Sequence, residues 1–213
     1  MKKYYVILLI ILVSCSSKFE LKEGDLLFQD LDSSLLCDAI ELVTPGYNEA
    51  NFSHIGLVVS INDTLKVLEA IPPKVMLTNL DNFLNRSFDK DGNPKVIVGR
   101  LKDKYLHSVE EAVSYSKSKL NIEYDEVFLM NNNSYYCSEL IYKAFEKDSI
   151  FRLQPMTFLH PETKDTLSIW KEYYSDLKVE IPQNKLGINP GIMSLSDKIE
   201  IIHFYGIPDG MKK

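Results

Sequence analysis

A cysteine thiol, an imidazole to take its proton and a carboxylate to orient the imidazole make a nucleophilic acyl-transfer site, if a fold brings them together. Cysteine attacks as the thiolate, and the first turn of a helix favours that form through unpaired N–H groups and the positive end of the dipole. Cys137 stands in such a place. Asn131-Asn132-Asn133-Ser134 is a polar stop, and from Tyr135 to Lys147 the residues Tyr136, Leu140, Ile141, Ala144 and Phe145 share one helical face. With Ser134 as N-cap, Cys137 is the third residue of this helix, on its buried side. Of the four histidines, His54 is best prepared, because it opens the apolar run Ile55 to Ile61 at a point where a side chain can reach out of a sheet end. His107 precedes a helix cap, His160 precedes Pro161 in a loop, and His203 sits in a closing strand where a hydrogen-bonded structural role fits equally well.

Hairpin register supplies the carboxylate. Asn62-Asp63 makes a turn between the His54 strand and a second strand, Leu65 to Ala70. A turn over Ile61 to Thr64 sets these two opposite each other and, counting outward, sets Glu69 opposite Gly56. Gly56 shares a face with His54, so Glu69 and His54 are diagonal neighbours, about 7 Å apart at the backbone and closer at the tips. A carboxylate there can hold the second imidazole nitrogen and fix the tautomer. A slip of one residue would place the pair on opposite faces.

The elements that must position these groups read as one α+β domain. The chain has 213 residues, 45% hydrophobic and 25% charged, which suits one sizeable core and excludes disordered, collagen-like and coiled-coil classes. Its formal charge of -6 offers no basic footprint for a phosphate backbone, so nucleic acid is not an expected partner. Gly24-Asp25 turns into a strand over Leu26 to Gln29. Ser33 to Val43 then carries Leu35, Leu36, Ala39, Ile40 and Val43 at helical spacing, with Cys37 mid-helix as a small core residue. Val96 to Leu101 is a strand, Ser108-Val109-Glu110-Glu111 has capping-box spacing for a helix running to Leu120, and Ile199 to Tyr205 closes the chain as a strand. Residues 151 to 191 are interrupted by prolines and give no clear pattern. Strands and helices alternate without a βαβ rhythm, which favours an antiparallel sheet packed against helices.

The N-terminus reads as an address. Met1-Lys2-Lys3 is cationic, Tyr4 to Val13 is almost wholly apolar, and Ser14 precedes Cys15. A run of about ten residues falls short of the ~20 needed to span a bilayer, and its order is that of a bacterial export signal. Leu12-Val13-Ser14-Cys15 resembles a lipobox, which implies a signal peptide over 1–14, lipid on Cys15, and a mature domain over 15–213 tethered in the cell envelope. Cys37 and Cys137 are then left in a space where two thiols could also pair.

Taken together, Gly24-Asp25-Leu26-Leu27-Phe28-Gln29, Phe52-Ser53-His54-Ile55-Gly56-Leu57-Val58, Val67-Leu68-Glu69-Ala70, Glu123-Tyr124-Asp125 and Tyr135-Tyr136-Cys137-Ser138-Glu139-Leu140 resemble the YiiX/YebB-like branch of the NlpC-type papain-like superfamily, across most of residues 24 to 145. The resemblance implies a circularly permuted papain-like core in which the His strand precedes the Cys helix. It also implies Cys137 as nucleophile, His54 as base and then acid, Glu69 as the orienting residue and Tyr124 over the cleft as a substrate-binding residue. Glu139 is expected to point elsewhere and to be structural.

The chemistry expected is acyl transfer through a thioester, on amide or ester bonds of cell-wall peptides or acylated, lipid-like substrates, with no cofactor. The apolar Phe128, Leu129 and Tyr135 near the site would suit an acyl chain. No phosphate loop, Gly-x-Ser-x-Gly elbow or Cys-x-x-Cys pair is present. A zinc site of His54, Glu69 and Cys137 uses the right residue types but lacks the usual ligand spacing, so no metal is assigned. The rival of a different class is a noncatalytic lipoprotein that binds a ligand with the same fold.

Overall fold

Asn62 and Asp63 both adopt positive φ, 49° and 60°, the backbone of a tight primed hairpin turn that asparagine and aspartate tolerate. A computed structural model describes residues 19–212, and around this hairpin it builds the following elements. They are β1 (Leu26–Gln29), α1 (Leu35–Val43), β2 (His54–Ile61), β3 (Thr64–Ile71), β4 (Lys74–Asn79), α2 (Leu80–Leu84), β5 (Val96–Leu101), α3 (Val109–Ser118), α4 (Cys137–Ala144), β6 (Gln154–Pro155), α5 (Ser168–Leu177), β7 (Leu186–Gly187), α6 (Pro190–Ser194) and β8 (Ile199–Phe204). Six strands form one antiparallel sheet in the order β4-β3-β2-β1-β5-β8, and β6 pairs with β7 apart from it. The α+β expectation therefore holds. The signal segment 1–14 and Cys15 lie outside the described residues.

Alternation along the strands sends alternate residues to two cores. Leu26, Phe28, Ile55, Leu57 and Leu68 join Ala112 of α3 and Leu140 and Ile141 of α4 on one face. Leu27, Val58, Val67 and Val98 meet Phe83 and Leu84 of α2 on the other. A third cluster, Ala39, Phe128, Tyr136, Phe158, Trp170 and Tyr174, packs α5 against α1 and the loop before α4. Burying each large side chain of this kind contributes about 1.5–3 kcal/mol, which is what holds α4 rigidly on the sheet and α5 beside it.

Several local expectations change. The helix of Cys37 begins at Leu35, because Ser34 is extended and its side chain accepts from the Cys37 backbone N–H. Cys37 is thus in the first turn and half-buried, not a mid-helix core residue; Ala39 and Glu41 hold the buried face instead. Ser108 does not close a capping box, since its hydroxyl donates to Asp148 at 2.6 Å and its own backbone is already helical after a 3-10 turn over Asp103–Ser108. Strand β4, α2 and α5 were not anticipated from the sequence.

Candidate active site

Tyr124 and Tyr135 form a parallel bridge, with Tyr135 N–H donating to Glu123 C=O and Asp125 N–H donating to Tyr135 C=O. This pairing keeps the chain extended through Tyr136, so Tyr136, not Ser134, is the N-cap and Cys137 is the first helical residue rather than the third. The change strengthens the electrostatic case, because the backbone N–H groups of an opening turn have no partner inside the helix. Glu139 is in the same first turn with its side chain buried. Burial, and then the Asp125 carboxylate, push Glu139 up to about 8. It is not among the residues that line the cleft.

His54 is the first residue of β2 and is buried. The hairpin register is the expected one, with Ile61 opposite Thr64 and Leu57 opposite Leu68. As a result His54 Nε2 lies 2.6 Å from Glu69 Oε2. The wholly buried Glu69 is held by more than the histidine: Arg86 donates from Nη1 to Oε2 at 2.8 Å and from Nη2 to Oε1 at 2.6 Å, and the Thr78 hydroxyl donates to Oε1. Burial opposes the charge on Glu69, but Arg86 and His54 outweigh it and lower the carboxyl to about 2. An ionised carboxylate only accepts, so Nε2 carries a proton and Nδ1 is left for the thiol. Burial likewise opposes the imidazolium, yet the neighbouring Cys137 and the Glu69 carboxylate raise His54 to about 9.

Packing explains the glycine that ends the run Ser53-His54-Ile55-Gly56. A Cβ there would meet Val67 Cγ1 at 2.3 Å and the Phe83 ring at 3.1 Å. Only glycine lets Phe83 approach β2 this closely, and Phe83 in turn packs on the His54 ring at 5.8 Å and lies under the Arg86 guanidinium at 5.0 Å.

The buried Cys137 lines a cleft of about 600 Å³ with Ser53, Tyr124, Phe128, Phe158 and Trp170 among its walls. Tyr124 is therefore brought to the cysteine, and burial followed by the Cys137 charge raises its hydroxyl well above the usual value, which keeps it a neutral donor. Of the three apolar residues expected near the site, Phe128 is on this wall, whereas Tyr135 bonds the Tyr115 hydroxyl and Leu129 faces outward. His107 pairs with Asp148 on the surface, His160 Nδ1 caps its own loop, and His203 stacks on Phe19 at 3.8 Å, so none of them joins the site.

Arg86, Thr78 and the 188–190 segment were missed. Thr78 was recoverable, because extending the hairpin reasoning to β4 pairs it with Val67, two residues from Glu69. Arg86 follows a short helix and carries no spacing signal.

A family model for the permuted papain-like amidases of the YaeF/YiiX type, the C92 family, matches residues 20–203. The chain belongs to this family. It is therefore a permuted papain-like hydrolase of amidase type. Among solved structures, the metalloprotein yiiX from Escherichia coli O157:H7 has the same fold, with a TM-score of 0.69 at 22% identity over 88% of this chain and 98% of that one. No curated protein matches the chain.

Among the described residues, one group of three possible metal ligands converges, Asp30, Asp32 and Asp209. It converges on a cation already present: Lys95 Nζ lies 2.6 Å from Asp32, 2.9 Å from Asp209 and 3.3 Å from Asp30.

Proposed function

We propose that this amidase-family chain works through Cys137, with His54 as the base that takes the thiol proton at Nδ1 and Glu69 as the group that fixes the imidazole. The observation that carries the reading is the buried His54–Glu69 pair, 2.6 Å apart and anchored by Arg86, with Cys137 at the start of α4 near enough to raise the His54 imidazole. In the first half-reaction the thiolate sulfur bonds to the substrate carbonyl carbon and the carbonyl π pair moves to oxygen. Collapse breaks the bond to the leaving group, which takes the His54 proton and leaves a thioester on Cys137. Water, deprotonated by His54, then cleaves the thioester.

Tyr124 is read as a donor that helps hold the reacting group. The aromatic and aliphatic wall of Phe128, Met156, Phe158 and Trp170 favours a substrate with a bulky apolar acyl arm over a polar wall peptide. The amino-terminal pattern supports delivery to the envelope as a lipoprotein anchored through Cys15, with membrane contact through that lipid. The convergent carboxylates Asp30, Asp32 and Asp209 enclose the Lys95 ammonium, which fills the place a metal would take among them. Incubation with octanoyl p-nitrophenyl ester followed by mass spectrometry tests the reading: the expected result is an octanoyl adduct on the Cys137 peptide, absent in Cys137→Ala. An adduct confined to Cys37, or none, would refute it.

A further inference from the structure

The 184–190 segment, which follows the family's motif residues by some fifty positions and shares no pattern with them, is tied to both neighbours of the nucleophile. The Ser138 hydroxyl donates to Ile188 C=O at 2.9 Å, and Ile188 N–H donates to the Tyr136 hydroxyl at 3.3 Å. These two bonds straddle Cys137 and clamp residue 188 against it. The next residue, Asn189, is on the cleft wall with Cys137 and Ser138.

Its side chain has one oxygen and one NH₂, and the oxygen is committed. Asn189 is the N-cap of α6, with extended backbone, and its Oδ1 accepts from Ile192 N–H at 2.8 Å. Pro190 at the first helical position adds a fixed φ suited to that cap. With Oδ1 held by Ile192, the amide cannot turn over without losing the cap, so Nδ2 is held on the side away from Ile192. A neutral, preset N–H donor on the wall of the cleft that also holds the thiol is the type of group that stabilises an oxyanion.

We propose that Asn189 is a further catalytic residue, donating an Nδ2–H hydrogen bond to the oxyanion formed when Cys137 attacks the substrate carbonyl. This rests on the reading of Cys137 as the nucleophile. No proton is transferred: the bond strengthens as the carbonyl π pair moves onto oxygen and relaxes when the leaving group departs.

The two roles of Asn189 separate chemically. Serine and aspartate cap helices about as well as asparagine, but neither supplies the amide donor, and aspartate sets a negative charge facing the oxyanion. The detergent-solubilised full chain, with Asn189→Ser and Asn189→Asp, is assayed for turnover of octanoyl p-nitrophenyl ester, for melting temperature and for the rate of Cys137 alkylation. The expected result is a fall in kcat on the order of 10²-fold for Asn189→Ser and at least as much for Asn189→Asp, with KM, melting temperature and alkylation close to the parent's. Unchanged kcat, a loss confined to KM, or early melting of both variants would overturn the proposal while leaving Cys137 in place. Parent turnover that survives in Cys137→Ala would instead overturn the reading of the site itself.

Discussion

Removing Arg86 tests whether Glu69 is held as an ion or merely buried beside a histidine. Glu69 is wholly buried and takes two guanidinium hydrogen bonds, at 2.8 and 2.6 Å, while the Arg86 side chain is 22% exposed. Breaking a fully buried pair costs about 3–5 kcal/mol, and the solvent that reaches the guanidinium reduces this to about 2–3 kcal/mol for Arg86→Ala. At about 2–4 °C per kcal/mol for a chain of this size, the melting temperature near neutral pH falls by about 4–12 °C.

The pH dependence has a definite sign. Glu69 is lowered in the folded protein to about 2, so the stability it contributes is present above the unfolded value of 4.5 and is lost as pH falls toward 2. Without Arg86 the carboxyl protonates at higher pH, and the acid edge of the stability profile moves up. Circular dichroism melts across an acid series, for the parent, Arg86→Ala, Glu69→Gln and the double variant, give the coupling energy directly. It should be at least about 1 kcal/mol at neutral pH and shrink in acid. Additive effects, or an acid edge that does not move in Arg86→Ala, would refute the reasoning.

Gly56→Ala should destabilise the fold by about 1–3 kcal/mol, because its Cβ would lie 2.3 Å from Val67 Cγ1; urea midpoints measure this, and an unchanged midpoint contradicts the packing account of that glycine. Lys95→Met removes the cation shared by Asp30, Asp32 and Asp209 and leaves the fully buried Asp30 carboxylate with only the Asp209 N–H hydrogen bond and no countercharge, at a cost of about 3–5 kcal/mol near neutral pH. That loss should narrow in acid as Asp30, already raised by burial, takes a proton; a loss independent of pH would show that packing of the lysine stem, not its charge, matters.

The candidate site was legible in the sequence wherever it depends on local periodicity. The His54–Glu69 contact followed from the position of one turn, since strand alternation leaves two faces and one register satisfies both. The start of the Cys137 helix was misplaced by two residues because the polar run before it mimics a cap, while the bridge between Tyr124 and Tyr135 that keeps Tyr136 extended joins segments with no sequence signal in common. For the same reason Arg86 and Asn189 were out of reach: each meets the site through long-range packing. Cys37 was misjudged because an apolar repeat shows which residues can face a core, not which turn of the helix the cap leaves in solvent.

The central claim, a Cys137 thiolate paired with a His54 imidazolium, is tested most directly by the pH dependence of Cys137 alkylation in protein lacking residues 1–15, beside His54→Ala and Cys37→Ser. The account predicts that Cys137 alkylates faster than a free cysteine near neutral pH, unaffected by Cys37→Ser and slowed toward the free-cysteine rate in His54→Ala. A profile for Cys137 that matches a free cysteine whatever occupies position 54, or a thiol that reacts only after reduction of a disulfide, would contradict it.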